Sequence, residues 1–284
     1  MKIQSAMEYL TTYGWAILII GISLAALFEL GVFNPLNYAA KATPGSCSVN
    51  RPQGPNTTEQ LSLSGVCTNL MPQYVAVFSG TSGNVIIPKM SAIAPSSGDG
   101  MTITMWVKIP KTNVFGGVAL AAGNGNTQIG WGTEFSPFNP PGWITSSTAA
   151  QANTWTFIAT TAVVGGQGQI YVNGVQTGTG SAGSGTIGIA PLSIGAGGCC
   201  GSEGLKYLYN GSMSNVQVYD TALSTNSISA LYAEGIGGAP IDLQHIVGWW
   251  PLNGNANDYS GNGNNGQAYS VSYVSNWWGG YTAP

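Results

Sequence analysis

Charge is what this 284-residue sequence lacks: it has 7 Lys and Arg against 10 Asp and Glu, a net charge of −3. With no basic surface to neutralise phosphates, sequence-independent nucleic-acid binding is excluded. A single histidine, His245, rules out multi-histidine metal sites and leaves histidine-dependent catalysis to one side chain. The four cysteines contain no Cys-x-x-Cys spacing, which argues against zinc. What the chain does have is 42 glycines together with 10% aromatic residues. Disorder goes with few aromatics, so the composition describes an ordered, turn-rich β protein.

The exception is the N-terminus. From Tyr9 to Phe28 no residue carries a formal charge, and Glu8 and Glu29 bracket the run. That is about the length that crosses a bilayer core. Trp15 to Ile22 is apolar on all sides, unlike an amphipathic surface helix. Ser5-Ala6-Met7-Glu8 fits a capping box, and Gly31 with Asn34-Pro35 supplies stop signals. These bounds predict a helix from Ala6 to Phe33, about 40 Å long. A secretory signal peptide would have a shorter apolar core and a more basic start than Lys2 provides. A plain membrane anchor leaves Glu8 unexplained, because a carboxylate at the edge of an apolar stretch needs a partner.

Gln4-Ser5-Ala6-Met7-Glu8-Tyr9-Leu10 and the apolar run after it resemble the N-terminus of archaeal type IV pilin-like proteins. The resemblance implies a class III signal peptide, residues 1–3, cut between Ile3 and Gln4, and a pilin helix over residues 4–34. It also implies assembly through Glu8, whose partner is the terminal amine of its own or an adjacent chain. Only Met1-Lys2-Ile3 precede Gln4, a short leader with one positive charge.

Residues 35–72 are rich in Pro, Gly, Ser and Thr and read as a small β connector. Four cysteines allow three pairings. Cys47 with Cys67 is the expected one, since closing a loop of that size stabilises a small segment by about 3 kcal/mol. Cys199 and Cys200 form either a vicinal disulfide or two free or externally paired thiols. An even cysteine count suits an oxidising exterior, as do the sequons at Asn56 and Asn210, both candidate glycan acceptors.

After Pro72 the pattern has period two. Strands are expected over residues 74–78, 85–88, 102–109, 155–160 and 213–219, with a hairpin turning at Asn173-Gly174. One short helix is capped by Ser224, buries Ile228, Leu231 and Tyr232, and ends at Gly235. The fold class is therefore a long N-terminal α-helix plus an all-β antiparallel sandwich. Thr102–Val107, Trp155–Ile158, Ile170–Gly174 and Asn210–Tyr219 resemble the LamG-like, concanavalin A-like jelly roll, which places that domain over residues 73–284. Val247–Gly266 looks like the segment that normally begins such a domain. Its position at the end implies a circular permutation, or a strand donated to a neighbouring subunit.

The β domain has few acids: Asp99, Glu134, Glu203, Asp220, Glu234, Asp242 and Asp258. No Glu-x-Asp-x-Glu strand sets two carboxylates across a cleft, so no enzyme is expected. Asp258 lies in an oxygen-rich turn, Asn255 to Asn265, that is either an Asx-type turn or a calcium site. Trp277 and Trp278 are the exposed candidates for stacking on a sugar. The sequence is thus expected to encode an extracellular filament subunit. Its helices, carrying Ile17, Leu18, Ile19, Ile20, Leu24 and Leu27, pass through the membrane and then pack with identical subunits, and the head faces surface glycans. The alternatives are a membrane-anchored lectin or adhesin and a secreted glycosidase.

Overall fold

A computed structural model describes residues 2–30, 32, 40–94, 96–110, 117–122, 127–130, 134–136, 143–148, 150–188, 190–197 and 207–284. The chain divides into two units, 1–40 and 41–284. In the first, α1 spans Lys2–Glu29. It starts four residues before the expected first residue Ala6, so Ser5 and Glu8 stand at interior positions of the helix backbone. Lys2, Gln4, Ala6 and Met7 are all good helix formers, and nothing among them stops the helix propagating. At the other end Leu30 N donates to Ala26 O (2.9 Å) and Val32 N to Leu27 O (3.0 Å), short of the expected end at Phe33. The side chains of Ile3, Gln4 and Glu8 lie outside the described residues, as do Cys199, Cys200 and Glu203.

In the second unit, the first four strands are short: β1 (Lys41–Ala42), β2 (Cys47–Asn50), β3 (Ser62–Gly65) and β4 (Met71–Pro72). β5 (Val75–Ser79), β6 (Asn84–Met90) and β7 (Gly100–Lys108) follow. β8 (Val118–Ala122), β9 (Thr127–Gly130), β10 (Glu134–Ser136) and β11 (Ile144–Thr145) run on as antiparallel neighbours. β12 (Thr156–Val163), β13 (Gln167–Val172) and β14 (Val175–Ser181) form a meander, and β15 (Ala190–Ile194) and β16 (Asn210–Tyr219) come next. After α2 (Thr225–Ala233) the chain ends with β17 (Ile246–Trp250), β18 (Gln267–Tyr269) and β19 (Ser272–Val274).

One sheet has the order β11-β10-β9-β8-β15-β6-β18 and the other β14-β13-β12-β7-β16-β5-β19, with β17 added on β16. Alternation fills the space between them. Val85, Ile87, Leu120, Leu192 and Ile194 come from one sheet, and Ile103, Met105, Ile158, Ile170 and Val218 from the other. The Asn173-Gly174 turn has positive φ at both residues (49° and 78°), as a type I′ hairpin requires. The Ser224 hydroxyl accepts from Ser227 N at 3.2 Å and caps α2, whose Ile228 and Leu231 are buried.

Two features decide how the head is completed. β16 is flanked by β7 on one side; on the other, β5 pairs its first half and β17 its second. The handover falls at Asn215, which has φ 53°. Trp250 and Leu252 enter the common core at 0% exposure. Gly248 leaves the space for this, because a Cβ there would stand 2.1 Å from the Trp250 ring. The C-terminal segment therefore pairs with β16 of its own chain.

The second feature is that the connector does not stand apart: 41–72 is part of the same unit as the head. β1 pairs with β4, and Cys47 is disulfide-bonded to Cys67 with a Cα–Cα distance of 5.0 Å. Arg51 Nε donates to Ser260 O (2.8 Å) and Nη2 to Ile246 O (3.1 Å), while Asn253 Nδ2 donates to Ala42 O (2.9 Å). The part-buried Arg51 guanidinium is thus held among backbone carbonyl acceptors, including those of Thr57 and Leu243.

Candidate functional site

The turn from Asn253 to Asn265 is organised around Asp258. One carboxylate oxygen accepts from Trp249 N (3.0 Å) and Ser260 N (2.8 Å). The other accepts from the Ser260 hydroxyl (2.9 Å) and Asn264 N (2.8 Å). Those four donors take up the roughly four lone-pair sites of a carboxylate. The amide oxygens of the turn are used in the same way: Asn255 Oδ1 accepts from Asn257 N, Asn265 Oδ1 from Asp258 N, and Asn262 Oδ1 from Asn56 N. A calcium ion needs oxygens free to converge on it, and here N–H groups point at them. The residues around Asp258 do not fit calcium; they build an Asx-type turn that clamps β17. Among the described residues no three His, Cys, Asp or Glu side chains gather into a metal site.

Asp258→Ala strands three backbone N–H groups and is expected to lower stability by about 3 kcal/mol. Chelator or added calcium should leave the wild-type melting temperature unchanged. Thermal melts with and without calcium check both, and a calcium-dependent rise lost in Asp258→Ala would restore the metal reading.

The sugar-stacking expectation fails at Trp277, which is 2% exposed. Its Nε1 donates to Pro72 O (2.9 Å), and its own carbonyl accepts from Trp155 Nε1 (2.9 Å) and Lys108 Nζ (3.4 Å). Its ring meets Trp155 and Tyr281 edge-on, and Tyr281 in turn meets Trp106. Trp106 stacks on Tyr232 of α2. The C-terminal tail and α2 thus carry an aromatic layer against the outer side of the eight-stranded sheet, where Trp106 and Phe157 lie. Trp278 is half-buried with Lys41 Nζ 3.6 Å above its ring. A cavity between the connector and the segment that runs from β17 to Tyr259, lined by Cys47, Pro72, Trp249, Asn253 and Tyr259, measures about 30 Å³, too little for a sugar ring.

Among the described acids, Asp220 and Asp242 come within electrostatic reach of one another. Asp99 accepts from Ser96 N (2.8 Å), and Asp242 holds His245 Nδ1 at 2.9 Å near the surface. Burial raises the Asp220 pKa, and His245 and Arg51 pull it back. Arg51 is itself lowered by burial, against the opposing charges of Asp258 and Asp220.

The apolar assembly residues expected on α1 are exposed. Ile17 is 68% exposed, Leu18 51% and Ile20 58%; Ile19, Leu24 and Leu27 are exposed as well. Tyr13, Trp15, Ile22 and Phe28 extend this apolar surface around the helix. Among the described residues no helix is long and apolar enough to cross a membrane.

Residues 79–229, more than half of the chain, match the model of the Laminin_G_3 family, described as the concanavalin A-like lectin/glucanases superfamily. The chain belongs to this superfamily. No curated protein sequence matches it. Among solved structures, a candidate carbohydrate-binding protein from Bacteroides ovatus superposes with a TM-score of 0.54 at 15% identity. That alignment covers 76% of this chain and 63% of the other, so this chain spans less than two thirds of that protein. The heptameric SAP-like pentraxin from Limulus polyphemus gives 0.53 at 16% identity, over 72% of this chain and 97% of the pentraxin. At such identities the likeness concerns the fold. The concanavalin A-like match ends at 229, before β17, and the Asp258 turn and the Trp277 layer that complete the sandwich lie beyond it.

Proposed function

We propose that this chain is a structural subunit of an extracellular filament of the archaeal type IV pilus kind, with α1 in a core of identical helices and the concanavalin A-like head outside. One observation carries the reading: α1 exposes large apolar side chains on every side. A helix apolar all round needs apolar neighbours on several sides, which a bundle of like helices supplies. The pilin-like sequence around Gln4 and Glu8 supports the same reading, and passage through the membrane before assembly belongs to it. In this reading the role is structural. The description of the Bacteroides ovatus protein supports an adhesive head that meets surface glycans.

The test is mass spectrometry of the mature N-terminus together with negative-stain microscopy of shed material. A chain beginning at Gln4 and visible fibres are expected; an unprocessed chain with single particles only would favour a membrane-anchored adhesin. Glu8→Ala should leave the protein in the membrane and deplete filaments, because removing one member of a buried pair costs about 3–5 kcal/mol.

A further inference from the structure

The two sequons differ in structure. Asn56 is exposed, on a turn, with φ 58°. Its backbone N–H donates to Asn262 Oδ1 (2.9 Å) and its Oδ1 accepts from the Ser91 hydroxyl (2.6 Å). The first bond fixes the backbone of the turn, the second turns the carbonyl side of the side-chain amide toward Ser91, and among the described residues no partner meets Nδ2. Two residues on, Thr58 is exposed and lies outside any strand. Asn210 is exposed too, but it is the first residue of β16, paired with Ser79. It packs over Gly80, where a Cβ would meet the Asn210 Cβ at 2.7 Å. The hydroxyl residue of its sequon, Ser212, pairs with Val77 on one side and Lys108 on the other. Presenting that sequon to an enzyme would require pulling a central strand out of the sheet, whereas the Asn56 turn has no ladder to break.

We propose that Asn56 is the glycan acceptor of the folded chain and that Asn210 is left bare. Nδ2 attacks the anomeric carbon of an oligosaccharide carried on a lipid phosphate. The new C–N bond replaces the sugar–phosphate C–O bond, the lipid phosphate leaves with that electron pair, and the amide proton passes to a base of the transferase. No redox step is involved. The proposal rests on the outward-facing location in the reading above, but not on filament formation.

The test is peptide mapping of the full-length protein from its own cells, without reduction. The Asn56 peptide should carry the whole added mass and the Asn210 peptide none. Asn56→Gln should abolish the increment, and Asn210→Gln should leave it intact. A bare Asn56 peptide, or sugar on Asn210, overturns the proposal. The same map reports the Cys47–Cys67 disulfide. A bare Asn56 beside an intact disulfide sinks the glycan assignment alone, whereas a bare Asn56 beside free thiols sinks the external location with it.

Discussion

A head that ends at Gly238 does not fold. The truncation removes β17, and with it Trp249, Trp250, Leu252, Trp277 and Tyr281, all buried. Each large side chain is worth about 3–5 kcal/mol in a core, against a whole-domain stability of about 5–15 kcal/mol. It also bares the second half of β16, whose partners at Val216, Gln217 and Val218 are Trp250, Trp249 and Gly248. Arg51 keeps its charge but loses its acceptors at Ser260 and Ile246. Circular dichroism and denaturant titration of residues 41–238 against 41–284 should show no cooperative transition in the shorter chain. A cooperative melt at the same temperature would mean that β17 adds nothing to the sandwich.

The second large effect lies in the tail. Trp277→Ala should cost about 3–5 kcal/mol: it empties the space between Trp155 and Tyr281 and leaves the Pro72 carbonyl without its donor. Trp278→Ala, one residue on, should cost about 1 kcal/mol or less, the worth of an exposed cation–π contact with Lys41. Denaturant midpoints of the two variants check the contrast, and equal midpoints would contradict it. Alternation alone suggests that a deletion after Tyr273 is mild. The buried Trp277 and Tyr281 make it nearly as damaging as the longer truncation.

The strands legible in the sequence were those with β-branched or aromatic residues in period two, such as Thr102 to Ile109. Most of the seven-stranded sheet carried no such mark. β8 reads Val-Ala-Leu-Ala-Ala and is buried at all five positions, so it shows no alternation to detect. The disulfide and the α2 cap were readable because they depend on local spacing. The Asp258 turn was readable as an Asx turn for the same reason, but its tie to Arg51 crosses some two hundred residues and leaves no local trace. Trp277 misled because Asn276 before it and Gly279-Gly280 after it look like a solvated loop. What buries it is the distant Pro72, Lys108 and Trp155.

Those long ties also set a clock. Lys41 meets Ser275 across 234 positions, Ala42 meets Asn253 across 211, and Pro72 meets Trp277 across 205. The first strands of the head pair early with one another, β1 with β4 and β2 with β3, but their ties to the C-terminal residues wait until the last few dozen residues have been made. A chain emerging from the ribosome reaches its helix first and its final strands last, and contacts so far apart in sequence close slowly. The sandwich can close only when its last strands are made. In the filament reading proposed above, such late closure leaves the chain open while it is threaded across a bilayer, and the sandwich folds once its last strands are available.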